Sequence, residues 1–291
     1  MAKNGFKALD SDMHVYDPPN LYLTYMDKKW GNRIPRGEWP KEHGRVEFYL
    51  GDGTVLRPRG ERIEQGEKKV AKYHTEGPRR GYDPVSQVEA MDREGLDVAV
   101  LFRTSPLYAD DNFEPEYAHA LCQAWNSWIA DFCKEDRAKL KPSAVIPMHD
   151  VDLAVKETRR AVKELGAIGL SIGPEPVRGR QLHDRYFDPL WTEAQELNVA
   201  VCFHPPASPG TNRRRSASRD ILTTRYWSTH FAIRWSRCLP LAACAAAECW
   251  SASPGCEFLF SKATAAGCRG RFIGSTSVSS SPATWLIAHS S

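Results

Sequence analysis

Two hydrophobic periods alternate along the first two hundred residues. Lys7 to His14 (Lys-Ala-Leu-Asp-Ser-Asp-Met-His) predicts a short strand that ends in Asp-x-His. Asp83 offers an N-cap followed by Pro84, and apolar positions at helical spacing run to Glu94, where Gly95 closes the helix. Residues 96–102 (Leu-Asp-Val-Ala-Val-Leu-Phe) then predict a buried strand. Pro115 to Glu135 predicts a helix whose face carries Ala118, Leu121, Trp125, Trp128, Ile129 and Phe132, the two tryptophans being core residues. Strands over 140–148, 167–173 and 198–204 alternate with helices over 151–165 and 189–197. Strands alternating with helices of this length predict βαβ units and a parallel sheet, with five strands complete by His204.

The interval 19–82 breaks the alternation. It is rich in Gly, Pro, Arg, Lys and Glu and carries Trp30, Trp39 and Tyr49. A structureless loop of this length is uncommon inside a compact domain, so the expectation is an insertion that covers an active-site mouth or supports subunit contacts.

Composition narrows the partners. At 291 residues the chain can bury a large core; 42% hydrophobic and 26% charged residues are ordinary for a globular protein. A formal net charge of +3 is too small to call for nucleic acid or a membrane surface. No apolar run approaches the roughly 20 residues of a membrane span, and Met1 to Gly5 lacks a signal-peptide core, so a cytoplasmic location is expected. Of the eight cysteines, Cys122, Cys133 and Cys202 are scattered and five crowd between Cys238 and Cys268 without a C-x2-C spacing, which predicts neither a zinc knuckle nor a disulfide framework.

Candidate chemistry sits at strand ends. Residues i and i+2 of a strand share a face, so Asp12 and His14 can address one ion, and His204 closes an otherwise apolar strand. Parallel barrels keep their chemistry at the C-terminal ends of strands. A carboxylate and two imidazoles suit one divalent metal, with Zn2+ the expected ion. Asp10 is either an acceptor for a ligand imidazole or a local cap. Arg213, Arg214 and Arg215 form either a carboxylate-binding group or a solvated loop, and His183 reads as structural.

Several stretches in order resemble one family. They are Asp10-Ser11-Asp12-Met13-His14-Val15-Tyr16-Asp17-Pro18, Met91 to Val100, Ala124-Trp125-Asn126-Ser127-Trp128, Leu182 to Trp191, and Val201-Cys202-Phe203-His204-Pro205. The first 205 residues resemble the amidohydrolase-related, ACMSD-like metal-dependent hydrolases and decarboxylases. The resemblance implies an α/β fold, a distorted (β/α)8 TIM barrel. It implies hydrolysis of C–N or C–O bonds, or nonoxidative decarboxylation of a small aromatic or enoic acid, helped by a metal-bound water or a metal-polarised substrate. A homodimer is also among its implications. The family's first motif is commonly His-x-His, so Asp12 departs from it and matches a subgroup with an acidic residue there. No Lys lies between Ala167 and Gly173, which disfavours the superfamily's binuclear, carbamylated-lysine branch. The family's last metal-binding Asp, from an eighth strand, has no counterpart.

The last sixty residues lose this character. After Asp220 the only acidic residues are Glu248 and Glu257, although the chain holds 36, and no 2.0 or 3.6 period survives. A one-nucleotide slip near Ala232 accounts for this: in the shifted frame Ile233 to Leu239 can read Asn-Pro-Leu-Glu-Gln-Met-Leu. Later stretches likewise regain strand and helix character. The expected organisation is a barrel portion over 1–232, incomplete after its fifth strand, and an out-of-frame tail over 233–291. His230, just ahead of the slip, is the candidate catalytic residue. The rival expectations are an inactive product of a damaged gene and a binding protein that reuses the fold without chemistry. Sequencing the gene across codon 232 is expected to find a single-base insertion or deletion; an uninterrupted frame with the same codons would defeat the idea.

Overall fold

The computed structural model describes residues 7–39, 46–56, 80, 82–104, 107, 111–173 and 176–204, and the backbone course of 230–234, 257–261 and 285–287. Five parallel strands make the frame: β1 (Lys7–Val15), β5 (Val98–Arg103), β6 (Leu140–Val145), β7 (Gly169–Ile172) and β8 (Ala200–Phe203). They lie side by side in the order β8-β7-β6-β5-β1. Between them come α2 (Pro84–Glu94), α3 (Pro115–Phe132), α4 (Val151–Lys163) and α5 (Asp188–Glu196). This is half of a curled (β/α)8 barrel: the alternation predicts its parallel βαβ units, and the family resemblance implies the barrel.

Local chemistry sets the element ends. The Asp83 carboxylate accepts from Ser86 N, Pro84 opens α2 where its missing N–H costs nothing, and Gly95 ends the helix at φ +74°. Asp150 caps α4 in the same way, accepting from Leu153 N at 3.0 Å. β6 stops at Val145, short of the predicted 148, and Pro147 just beyond has no N–H to offer a ladder.

The insertion is structured where it is described. It contains α1 (Leu21–Tyr25), a 3-10 helix (Lys28–Arg33) and a small antiparallel sheet of β2 (Arg36–Glu38), β3 (Glu47–Tyr49) and β4 (Val55–Leu56). Gly37 lies so close to Pro19 that a Cβ would come within 2.6 Å of the Pro19 backbone, so β2 can seat there only with glycine. Leu21, Tyr22, Met26, Ile34, Val46 and Phe48 share one apolar core with Leu121, Trp125 and Ile129 of α3. The insertion thus completes the core over β1 and β5, while α4 and α5 cover β6, β7 and β8 with a second cluster around Phe187, Leu190 and Phe203.

Three short strands extend the sheet past His204. β9 (His230–Arg234) pairs antiparallel with β8, β10 (Glu257–Ser261) antiparallel with β9, and β11 (Trp285–Ile287) parallel with β1. The turn to antiparallel pairing departs from the βα alternation of a barrel. Among the described residues no pairing joins β10 to β11, and no helix is long and apolar enough to cross a membrane.

One buried polar network joins the two halves of the core. The Asn126 side chain on α3 donates to Val145 O at 2.9 Å and accepts from Val145 N at 2.8 Å, taking over the backbone groups at the end of β6. It also donates to Glu157 on α4, which receives Arg160 Nε at 2.9 Å and Nη2 at 2.7 Å and faces His119 Nε2 at 3.5 Å. Burial pushes the Glu157 carboxyl up, but the bonds from His119, Arg160 and Asn126 and the Arg160 charge outweigh it and hold it below its ordinary value.

A carboxylate depressed in the folded state adds stability above its unfolded pKa, about 4.3, and loses it as pH falls through the folded value. Glu157→Gln is therefore expected to cost about 3 kcal/mol at pH 7, because Arg160 loses its anion in the interior. In urea unfolding the gap from wild type narrows by pH 3; an equal gap at both pH values would refute this role.

Candidate metal centre

β1 delivers two groups from one strand end. Its ladder with β5 pairs Asp10 with Ala99 and then Met13 with Leu101, so β1 carries one extra residue in a bulge at Ser11 and Asp12. Bulges re-aim side chains and recur beside active sites. The Asp10 carboxylate, buried, accepts from Asp12 N at 2.9 Å and holds the backbone of the bulge. This bond is that of a local cap, one of the two roles open for Asp10 in the sequence.

His204 enters from the far side of the half-barrel. β8 is apolar and buried, and the ladder continues one residue beyond it, His204 N donating to Ile172 O at 2.8 Å. The Phe102 ring lies stacked on the His204 imidazole, 5.3 Å between centroids and 20° between planes.

The structure brings Asp12, His14 and His204 together. His14 Nε2 and His204 Nε2 are 3.1 Å apart, and Asp12 Oδ1 lies 3.7 Å from the first and 3.5 Å from the second. Two donors held tetrahedrally at about 2.0–2.2 Å from one ion stand about 3.3–3.6 Å apart, and the three separations bracket that range. One carboxylate and two imidazoles are hard-to-borderline donors of the kind that divalent transition metals accept. The residues present therefore fit a single divalent ion. The Asp12 and His204 side chains are only 7% and 6% exposed, whereas that of His14 is 30% exposed, so the centre is buried on one side and open to solvent on the other.

The buried thiols are inert. Burial, then the Asp12 charge, pushes the Cys202 thiol up to about 12, so it stays protonated at neutral pH. Cys122 and Cys133 are buried and raised as well. Trp125 is core, its indole N–H held by Asp17 at 2.8 Å, and Trp128 is core beside it; His183 is exposed. The backbone of His230 opens β9, but its side chain lies outside the described residues, as do Arg213, Arg214 and Arg215.

The sequence reading missed Arg103. It ended the second strand at Phe102, whereas β5 runs to Arg103, whose guanidinium is buried and donates to Ser171 Oγ at 2.5 Å and His204 O at 3.2 Å. An arginine closing the apolar run Val-Ala-Val-Leu-Phe at the functional end of a barrel strand was the available signal.

Known proteins resemble this chain over part of its length. A 2-amino-3-carboxymuconate-6-semialdehyde decarboxylase of Dictyostelium discoideum is 30% identical over 132 residues, 45% of this chain and 36% of that protein. A gamma-resorcylate decarboxylase of a Polaromonas species is 28% identical over 127 residues, 41% of this chain and 38% of its own length. The chain thus spans less than two fifths of either relative. Among solved structures, an amidohydrolase from Mycobacterium avium subsp. paratuberculosis superposes with a TM-score of 0.53 at 22% identity, over 70% of this chain and 60% of that one, a likeness of fold. The sequence pattern of the amidohydrolase family matches residues 10–249, most of the chain, which therefore belongs to the amidohydrolase family.

Proposed function

We propose that the chain is the ligand-bearing part of a metal-dependent enzyme that decarboxylates a small aromatic or enoic acid. The observation that carries this reading is the convergence of Asp12, His14 and His204 from two strands onto one point at ligand spacing. The two curated relatives described above are decarboxylases by name, which favours carbon dioxide release over hydrolysis of a C–N or C–O bond. The assembled site also weighs against an inactive product of a damaged gene.

Asp12, His14 and His204 would hold one ion, and Zn2+ is the proposed occupant because two of the three donors are imidazoles; Mn2+, which favours oxygen, is its competitor. A bound divalent ion supplies a Lewis acid that polarises a substrate oxygen or lowers the pKa of a water. The chain's own part is positional. Asp12 brings one negative charge and so lowers the net charge of the centre. The two imidazoles must present bare Nε2 atoms, which requires their protons on Nδ1. The exposed side of His14 is the proposed approach for substrate.

His230 is the proposed proton carrier. Its support is register: Phe203 pairs with Phe231, so the backbone of His230 falls one step further on, across from His204. An unperturbed imidazole, with a pKa of about 6.5, is the side chain suited to general acid–base work at pH 7.

Two measurements test the proposal. Wild-type protein offered Zn2+ and Mn2+ should retain one equivalent of metal, with Zn2+ preferred. His14→Ala and His204→Ala should each lose more affinity than the roughly 10–100-fold typical of removing a group that only supports a ligand. Metal uptake unaltered in the double variant would overturn the site. With gamma-resorcylate as probe, carbon dioxide release that stops on chelation is expected; a hydrolytic product without carbon dioxide would move the chain to the hydrolase reading.

A further inference from the structure

The three donors stand on strands that are far apart in the sheet. β1 carries Asp12 and His14, His204 follows β8, and β5, β6 and β7 lie between them. Each step between neighbouring strands adds a twist of roughly 20–25° with wide scatter, so ladder hydrogen bonds alone fix the relative position of β1 and β8 only loosely. A centre whose donors must sit within a few tenths of an ångström of their places needs a more direct tie.

Three consecutive residues at the end of β5 make that tie. Thr104 Oγ1 donates to Val15 O, the last residue of β1, at 2.6 Å. Arg103 reaches over β6 and donates through Nη1 to Ser171 Oγ on β7 and through Nη2 to His204 O, 101 residues away in sequence. Phe102 stacks on the His204 imidazole. One strand end therefore grips β1 on one side and β7 with His204 on the other, and fixes both the backbone and the ring plane of His204.

We propose that Arg103 is a positioning residue of the metal centre: its guanidinium is a strut that sets His204 against Asp12 and His14. The proposal rests on the metal-centre reading above. Arginine suits the task because its planar fork offers two divergent donors and its charge persists at any working pH, while bonds from a charged donor to a neutral acceptor are stronger than neutral ones. The same charge could act in the opposite direction, since a cation near the centre repels a divalent ion. The two effects predict opposite signs for its removal, which makes the role measurable.

The test uses the full chain, Zn2+ alone titrated against a chromogenic chelator, and the visible spectrum of Co2+ taken up in its place. Arg103→Met should lose about 10- to 100-fold in Zn2+ affinity, the range for residues that orient ligands, and should broaden the Co2+ bands. Arg103→Lys keeps the charge and one donor and should recover part of the loss. Ser171→Ala removes only the acceptor that aims the guanidinium and should lose a few-fold; it carries the test if Arg103→Met fails to fold. A lower melting temperature of the metal-free variants with wild-type Zn2+ affinity and Co2+ spectrum would reduce Arg103 to a fold stabiliser and overturn the proposal, as would tighter Zn2+ binding by Arg103→Met. Wild-type protein that takes up no Zn2+ would end the metal-centre reading and this proposal together. Uptake by wild type with unchanged affinity in the variants would end this proposal alone.

Discussion

The approach of two imidazole nitrogens to 3.1 Å, from residues 190 positions apart, is the constraint on which the rest depends. Such nitrogens repel one another unless a proton or a cation lies between them, and Asp12 Oδ1 at 3.5 and 3.7 Å closes the third side of the triangle. Bringing them there requires five parallel strands in correct register, helices that cover both halves of the core, and an insertion that completes the packing over β1. A slip of one residue in any of these ladders would turn a donor to the other face. Function and fold are therefore the same requirement at this end of the sheet.

The polar interior follows a division of labour. Asn126 and Glu157 satisfy backbone and charge where α3, α4 and β6 meet, and so hold the half-barrel together away from the centre. Phe102, Arg103 and Thr104 do the corresponding work at the strand ends. The Asp10 carboxylate accepts from the bulge backbone, and Asp12 faces the imidazoles. Buried polar groups of this kind stabilise only when satisfied, which ties each of them to a particular partner.

By residue 230 the chain has changed both in sequence character and in strand direction. The loss of periodicity and of acidic residues coincides with antiparallel pairing at β9 and β10, where a barrel would continue with parallel strands and covering helices. Antiparallel pairing needs no crossover helix, so short apolar segments can add to the edge of β8 without the alternation that built the first five strands.

Much of the frame was legible in the sequence because it is written in local chemistry. Periodicity marked the five strands and the helices, Asp83 with Pro84 and Gly95 marked the ends of α2, and the i, i+2 spacing singled out Asp12 and His14. The apolar run ending in His204 was equally plain. Tertiary structure decided the rest. The bulge at Ser11 and Asp12 arises only from pairing with β5, and the role of Asp10 follows from it. The Asn126–Glu157 link joins residues whose polar side chains would read as helix surface. The strand-end position of Arg103 is legible in the sequence, but its reach to a carbonyl 101 residues away is not. Local patterns report which face a side chain takes on its own element. Which distant atom that face meets depends on register and strand order, and these are properties of the folded sheet.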